Sequence, residues 1–233
     1  MDIFIKNWKA ISGSISENQQ WSEYFSQPSA FDEVKNSFPE LSLLPAMQRR
    51  RLSPFAKLAL APALALDPDH KLPTIFSSQH GDLMKTSALL DDIVNQQDLS
   101  PTKFSLSVHN AASGLYGIYT KNRQATTAIA AGNDTLHMAI VEAYGQLQSG
   151  EHDEIIVIYT ENTTPAEYDE FIDPVTPISL ALHLTVNSGE KFCLDYDLTD
   201  TTENSNQALE LVRYLLSKNA DSVIDKRWFW TKC

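Results

Sequence analysis

The sequence has 233 residues, of which 42% are hydrophobic and 21% are charged, and its formal net charge at pH 7 is −12. A chain of this length and composition can bury a sizeable core, which excludes wholesale disorder, and its acidic balance disfavours a broad nucleic-acid-binding face. No apolar run approaches the roughly 18–20 residues of a membrane span. The N-terminus also lacks the apolar stretch and the small-residue cleavage site of a secretory signal, so we expect a cytoplasmic protein.

The first third of the sequence predicts a strand and a helix separated by an irregular region. Residues 2–10 alternate apolar and polar side chains, as a half-buried strand does. Residues 11–45 are rich in Ser, Asn, Gln and Pro, and their interspersed aromatic residues indicate a segment packed onto the domain. Residues 47–66 predict a helix. Its main part can begin at Ser53-Pro54, because Ser is a good N-cap and Pro is tolerated at the first helical position. Pro62 would then kink or end it.

The middle of the sequence alternates predicted strands with predicted helices. The run 154–161 is almost entirely β-branched or aromatic between its terminal glutamates, which is typical of a central strand covered on both faces. Apolar residues at helical spacing predict the helices that connect the strands. The predicted strands are 72–79, 125–131 and 154–161, and the predicted helices are 83–94, 104–119 and 134–148.

The C-terminal part of the sequence predicts a β-hairpin followed by a helix. Residues 178–186 and 191–198 resemble two strands, and Asn187-Ser188-Gly189 between them is a hairpin turn signal. A last helix is expected from Asn204 to Ser217. Strands that alternate with helices indicate one α/β layered domain that covers residues 1–233. The predicted fold is therefore a mixed sheet with a C-terminal β-hairpin and with helices on the sheet faces.

The sequence offers no pattern for a metal or a nucleotide cofactor. Its six histidines are scattered, and it contains neither a Cys-x-x-Cys pair nor a glycine-rich phosphate loop. We therefore predict no metal and no cofactor. The two cysteines, Cys193 and Cys233, are expected to be a buried small hydrophobic residue and a free terminal thiol.

A sharp strand-to-helix turn is predicted at residues 130–134, within the stretch TTAIAAGNDTLHMAI. Such a turn can hold a nucleophile at the helix N-terminus, yet Asn133 occupies it and no Cys or Ser is present at its tip. Asp134 has the right chemistry to cap the following helix, because its carboxylate can accept from the free N–H groups of the first turn. We expect a structural role for His137, which lies in that first turn.

Arg49, Arg50 and Arg51 form a basic cluster in an acidic chain. One interpretation is a solvated helix end with local ion pairs. The other is a docking site for a phosphorylated or acidic partner, which guanidinium groups bind through charge-assisted and often bidentate hydrogen bonds. The sequence leaves both interpretations open.

Several segments resemble the N-terminal half of the β-ketoacyl synthases, members of the thiolase superfamily. The match covers roughly residues 45–190 and includes AIVEAYGQLQSGEHDEIIVIYTE (139–161) and the upstream HNAASGLYGIYTKNRQATTAIAAG (109–132). The motifs MQRRRLSPFAKLAL and FSSQHGDLMKTSALLDDI are similar to those of short ketosynthase-like proteins of bacterial aryl-polyene clusters, often described as chain-length factors. The resemblance implies a thiolase-like layered half-fold.

The resemblance aligns Asn133 with the nucleophilic Cys of the family. A carboxamide cannot form the acyl thioester that Cys forms, because its nitrogen is a very poor nucleophile. The synthases also draw two catalytic histidines from a C-terminal half, and we expect this chain to end before that half. The resemblance therefore implies that the chain is not an enzyme but a non-catalytic partner of a 3-oxoacyl-[acyl-carrier-protein] synthase.

By the same resemblance, the chain is a chain-length-factor-like subunit in aryl-polyene or type II polyketide biosynthesis. Its partners would be a full-length ketosynthase, in a heterodimer, and an acyl carrier protein, transiently. Three groups of site residues follow. They are the tunnel candidates Phe104, Ser107, Val108, Ala111, Leu115 and Asn133, the partner-interface candidates Gln124, Thr126, Ala128 and Ala130, and the carrier-docking candidates Arg49, Arg50 and Arg51.

Two other functions remain open from the sequence. The first is a stand-alone thiolase-like acyltransferase or hydrolase that uses a Ser, Thr or Asp near residues 132–137 as its nucleophile. The second is a folded module that binds acyl groups or carrier proteins without a ketosynthase.

Overall fold

A computed structural model describes residues 1–28, 38–172, 176–197, 206–224 and 227–233. These residues form one mixed sheet of eight strands with helices on both faces. The strands are β1 (Asp2–Ile11), β2 (Thr74–Ser77), β3 (Thr126–Ile129), β4 (Glu154–Glu161), β5 (Ile178–Thr185), β6 (Glu190–Tyr196), β7 (Asp221–Ile224) and β8 (Trp228–Lys232). The helices are α1 (Asn18–Ser26), α2 (Ala46–Arg49), α3 (Pro54–Leu66), α4 (Leu83–Val94), α5 (Pro101–Ser105), α6 (Ala111–Thr120), α7 (Thr135–Ser149) and α8 (Gln207–Leu216).

Among the described residues, the sheet separates two large apolar cores. Alternate residues of β4 enter opposite cores, because side chains of a strand point alternately to its two faces. Ile155 and Val157 pack in the core that contains α1, α7 and α8, whereas Ile156 and Ile158 pack in the core that contains α3 and α6. This layered arrangement confirms the predicted fold class and the prediction that β4 is covered on both faces.

The strand order is β3-β2-β4-β5-β1-β6-β8-β7. β2 pairs in parallel with both β3 and β4, and all the remaining pairs are antiparallel. Because parallel strands run in the same direction, the carboxyl ends of β2, β3 and β4 lie on the same side of the molecule. The segments that follow these strands therefore meet there, which is where α/β sheets usually build their sites.

The predicted hairpin of residues 178–186 and 191–198 is wrong in its pairing, although both strands exist. β1 lies between β5 and β6 and pairs antiparallel with each of them. The connection between β5 and β6 crosses β1 close to Ile5. At Gly189, in this connection, φ is 111° and a Cβ would overlap the carbonyl oxygen of Ile5. The C-terminal hairpin of the molecule is formed instead by β7 and β8.

The predicted helix 104–119 is divided into α5 and α6 by a turn. In this turn, Nε2 of His109 lies 2.8 Å from the carbonyl oxygen of Ser78, so the ring donates to the end of β2 and anchors the break. The predicted start of α3 is confirmed, because Oγ of Ser53 accepts from the N–H of Ala56 at 3.1 Å. Helix α3 then continues through Pro62 to Leu66.

The last predicted helix is present as α8, with Asn206 as its N-cap residue. Its predicted first residue, Asn204, lies outside the described residues, as do residues 29–37 of the predicted irregular region and Leu198 at the end of a predicted strand. None of the described helices combines the length and apolar character that a bilayer crossing requires.

The prediction of a buried Cys193 and a free Cys233 is wrong. The two residues form a disulfide, with their Cα atoms 6.5 Å apart, and Cys193 is half-buried. β8 pairs with β6 so that Thr231 lies opposite Cys193, and this long-range pairing brings the last residue of the chain to β6. The spacing of the cysteines in the sequence contains no sign of it.

Candidate functional site

The turn between β3 and α7 is a sharp connection held by its own backbone. Gly132 has φ 57°, a left-handed conformation that glycine adopts without strain. The buried hydroxyl of Thr135 closes the turn, because it donates to the carbonyl oxygen of Gly132 at 2.7 Å and accepts from the N–H of Ala131 at 2.9 Å. The turn presents Asn133 as an exposed residue just before α7.

The Asn133 side chain is bound by a residue that follows β2. Nε2 of Gln79 donates to Oδ1 of Asn133 at 3.2 Å. Gln79 lies two residues beyond the end of β2, and Asn133 lies four residues beyond the end of β3. The parallel pairing of these strands brings the two amides together.

A buried carboxylate at the end of β4 organises the segment that carries Gln79. Glu161 accepts hydrogen bonds from Oγ of Ser78, at 3.1 Å, and from the backbone N–H groups of Gln79 and His80. Burial raises the pKa of Glu161 to about 7, because the loss of water outweighs these three donors. The site therefore holds a carboxyl group that changes charge near neutral pH.

The turn of residues 78–82 is further fixed by two hydrogen bonds to Ser78. The N–H of Gly81 donates to Oγ of Ser78 at 2.8 Å, and Nε2 of His109 donates to its carbonyl oxygen at 2.8 Å. The cleft beside these groups, lined in part by Thr160, has a volume of about 10 Å³. A space of this size holds about one water molecule.

Asp134 does not cap α7 with its side chain, so this prediction is wrong. Its carboxylate instead binds the C-terminal hairpin, where the guanidinium of Arg227 lies 3.0 Å away and the indole N–H of Trp228 donates at 2.9 Å. A charged donor and an indole from β8 compete successfully for the carboxylate, while Thr135 closes the turn in its place. This contact joins the start of α7 to the end of the chain.

His137 has the structural role that the sequence predicts. It is fully buried and stacks on Trp228, with the ring centroids 4.5 Å apart. The indole N–H of Trp230 lies 3.1 Å from Nε2, and Nδ1 lies 2.8 Å from Oε1 of Gln207. Because an indole can only donate, Nε2 accepts and the proton is on Nδ1. Both nitrogens are thereby engaged.

The tunnel candidates lie along α5, the following turn and α6. Phe104 and Val108 are 60% and 42% exposed, whereas Ser107, Ala111 and Leu115 are half-buried. Leu115 packs against the core beneath α3. No described hydrogen bond or ring contact joins these residues to Asn133, so their common role as a tunnel wall stays a prediction.

The partner-interface candidates follow the free edge of the sheet. β3 is the terminal strand, and among the described strands it pairs with β2 alone. The carbonyl groups of Ala125 and Ile129 accept from β2, so the backbone groups of the alternate residues face away from the sheet. Those alternate residues are the candidates Gln124, Thr126, Ala128 and Ala130.

Helix α4 and the segment that follows it expose further apolar side chains, which the sequence interpretation missed. The exposed fractions are 48% for Leu90, 54% for Ile93, 79% for Val94 and 42% for Leu99. The signal was present in the sequence, because α4 carries more apolar residues than its one buried face requires. An ion pair between Lys103 and Asp92 links α4 to α5, so this surface adjoins the first tunnel candidate.

The three arginines differ in their environments. The guanidinium of Arg49 donates to the carbonyl oxygen of Glu40 at 3.2 Å, and this residue is half-buried. Arg50 and Arg51 are exposed and form no ion pair with a described residue. The structure therefore leaves two of the three charges available to a partner.

Within the described part of the chain, no group of three metal-ligating side chains is found.

Comparisons with known proteins agree with the geometry. A chain in the complex of the ketosynthase ApeO with its chain length factor ApeC from Xenorhabdus doucetiae is 27% identical and superposes with a TM-score of 0.86, covering 100% of both chains. The ishigamide ketosynthase/chain length factor matches 86% of this chain and 69% of its own at 13% identity, with a TM-score of 0.66. A β-ketoacyl synthase from Burkholderia phymatum STM815 matches 92% of this chain and 69% of its own at 11% identity, with a TM-score of 0.63.

The last two likenesses concern the fold alone. The sequence matches no curated protein at a significant level. The family model of the β-ketoacyl synthase N-terminal domain matches residues 19–231. The chain therefore belongs to the family of β-ketoacyl synthase N-terminal domains.

Proposed function

We propose that this chain is a non-catalytic, chain-length-factor-like subunit that pairs with an active full-length ketosynthase and shapes its acyl tunnel. The observation that carries the proposal is the likeness, over the whole of both chains, to a chain from a ketosynthase–chain length factor complex. The complex would synthesise an aryl polyene or a related type II polyketide. The subunit would function in the cytoplasm, and residues 1–233 would form one domain.

The chemistry of the β3–α7 turn supports a non-catalytic role. Asn133 occupies the turn, and its amide has no nucleophilic lone pair to offer an acyl thioester. The neighbouring groups are also committed to structure. Thr135 is buried with its hydroxyl bonded on both sides, and Asp134 is paired with Arg227. The imidazole of His137 has no free nitrogen with which to act as a base.

These contacts argue against the rival function of a stand-alone acyltransferase or hydrolase. That function requires a nucleophile within hydrogen-bond reach of a general base. Thr135, whose hydroxyl is the candidate nucleophile, is only 1% exposed, and the hydroxyl is bonded inside the turn. We therefore expect no covalent acyl adduct when the chain is incubated with a reactive acyl thioester, as read by intact mass.

The free edge of β3 supports pairing with a second chain. An unpaired strand edge presents N–H and C=O groups that can continue a sheet into another subunit. The exposed apolar side chains of α4 and α5 provide the additional buried area that a stable complex requires. We assign Gln124, Thr126, Ala128 and Ala130 to this interface.

The tunnel and the carrier-docking surface are finer parts of the same proposal. Phe104, Ser107, Val108, Ala111, Leu115 and Asn133 would face the growing chain of the partner, where small and apolar groups suit a long, flat polyene. Arg49, Arg50 and Arg51 would receive an acidic acyl carrier protein. Leu43 and Met47, which precede the arginines in the sequence, are exposed and would add apolar contact area.

The experiment is co-expression of the chain with its cognate full-length ketosynthase. We expect a stable 1:1 complex by gel filtration with light scattering, and no condensing activity from this chain alone. Ala128→Pro removes one outward N–H without touching the hydrogen bonds to β2, since prolines are tolerated on edge strands. Loss of that bond costs about 1 kcal/mol, so affinity falls about fivefold or more.

Ala128→Val is the matched control, because it keeps the N–H and favours the strand. Equal weakening by both variants would show that the side chain, and not the strand edge, makes the contact. If the ketosynthase elongates to the same product length without this chain, the proposed function is wrong.

A further inference from the structure

A continuous series of hydrogen bonds connects the end of β4 to the side chain of Asn133. Glu161 binds Oγ of Ser78 and the N–H groups of Gln79 and His80. Gln79 in turn donates through its side-chain amide to Oδ1 of Asn133. Thus a buried acid reaches an exposed amide in two steps, although Glu161 is the last residue of β4 and Asn133 lies in the turn after β3.

We propose that Glu161 is a positioning residue for Asn133. By holding the turn of residues 78–82, Glu161 sets the place of Gln79, and the amide of Gln79 then fixes the Asn133 side chain at the mouth of the β3–α7 turn. The consequence for product length rests on the proposed function, in which Asn133 faces the partner's tunnel. The positioning itself belongs to this chain alone.

A carboxylate suits this task better than a neutral group. It accepts at two oxygens with about four lone-pair sites and donates nothing, so it can bind the three converging donors of Ser78, Gln79 and His80 at once. An apolar residue of the same size would leave these donors buried without a partner, which is costly. The acid is thus the group that keeps the turn in one conformation.

Glu161 also changes charge in an accessible pH range, which makes the positioning measurable. Its pKa is about 7, whereas the pKa of neighbouring His80 is lowered below its usual 6.5 by burial. Three other titratable groups lie around the turn. Burial and the charge of Glu161 raise the pKa of Tyr159 well above 10. Asp82 pairs with Lys85 at 3.6 Å, and His109 donates to the carbonyl oxygen of Ser78.

The test is NMR of the side-chain amide of Asn133 in the isolated, isotope-labelled chain. The signal is identified by its loss in Asn133→Asp. We expect its chemical shift to move with pH with a midpoint near 7, and we expect this movement to disappear in Glu161→Gln. His80→Gln should leave the midpoint in place, which separates the histidine from the acid.

The variant Gln79→Leu tests transmission without changing the buried acid. The chemical shift of the Gly81 backbone N–H should still change with a midpoint near pH 7, because this N–H donates to Oγ of Ser78, which binds Glu161. The chemical shift of the Asn133 side-chain amide should become independent of pH. Glu154→Gln is the matched control at the opposite end of β4, where the carboxylate binds Lys6 and His183. It should leave the Asn133 titration unchanged.

Two results would overturn the proposal. One is an Asn133 signal that does not titrate in the wild type, and the other is one that still titrates in Gln79→Leu. The functional arm is separate. In the ketosynthase complex, Glu161→Gln and Gln79→Leu should alter product length in the same direction as Asn133→Ala. If no complex forms, the proposed function fails while the NMR result still decides the positioning.

Discussion

Glu161 should make the stability of the folded chain depend on pH in an unusual direction. Its pKa in the folded state is about 7, against an ordinary value of 4.5, because burial disfavours the carboxylate. Between these values the folded state holds a proton that the unfolded state has lost. The stability that Glu161 contributes is therefore fully present below about pH 4.5, falls as the pH rises to about 7, and is lost above it.

The magnitude follows from the size of the shift. Each pKa unit corresponds to about 1.4 kcal/mol, so the difference between 4.5 and about 7 corresponds to about 3 kcal/mol of unfolding free energy. Carboxyl groups with lowered pKa, such as Glu154, act in the opposite direction, but their effect lies below pH 4.5. The lowered pKa of His80 also acts in the opposite direction. Its effect on the unfolding free energy cancels when the wild type is compared with a variant that keeps His80.

The assay is urea unfolding followed by tryptophan fluorescence at several pH values between 4.5 and 8. The free energy of unfolding of Glu161→Gln, relative to that of the wild type, should rise by about 3 kcal/mol across this range. The slope is the measured quantity, because the amide also has a constant cost from its unpaired N–H groups. A difference that stays constant with pH would refute the raised pKa.

Four further variants test stability and can be read by the same assay. Gly189→Ala should destabilise by more than about 2 kcal/mol, because its φ is 111° and a Cβ overlaps the β1 backbone. Gly145→Ala, inside α7 with nothing within 4 Å of a new Cβ, should instead stabilise by up to about 1 kcal/mol. Trp230→Phe should cost about 1–3 kcal/mol, because the buried His137 loses its donor; full stability would contradict this role. Under oxidising conditions Cys233→Ser should cost up to about 4 kcal/mol, because the lost disulfide closes 40 residues; under reducing conditions it should cost little.

The site illustrates which contacts the sequence can predict. The strand, the sharp turn and the helix around Asn133 are continuous in the sequence, so the pattern of apolar residues was sufficient to predict them. Gln79 and Glu161 could not be assigned to the same site in this way. Gln79 follows β2 and Glu161 ends β4, and Gln79 is 54 positions from Asn133. Only the parallel pairing of three strands makes them neighbours.

The error at Asp134 has a similar origin. Local chemistry favours a helix cap, and an Asp at that position is a good choice for one. The structure instead directs the carboxylate to Arg227 and Trp228, more than 90 positions away. A local preference worth about 1 kcal/mol is overridden when a charged partner and an indole donor are brought to the same group.

The sequence by itself determined most of the strands and helices, the layered α/β class and the family resemblance. Periodicity and turn residues act over a few positions, and each of these features is specified locally. Tertiary structure alone decided that β1 separates β5 from β6, that Cys193 meets Cys233, and that Glu161 lies behind Asn133. These contacts depend on strand order and register. Burial stabilises any strand with a suitable apolar face, so the choice among pairing partners is made only when the whole sheet assembles.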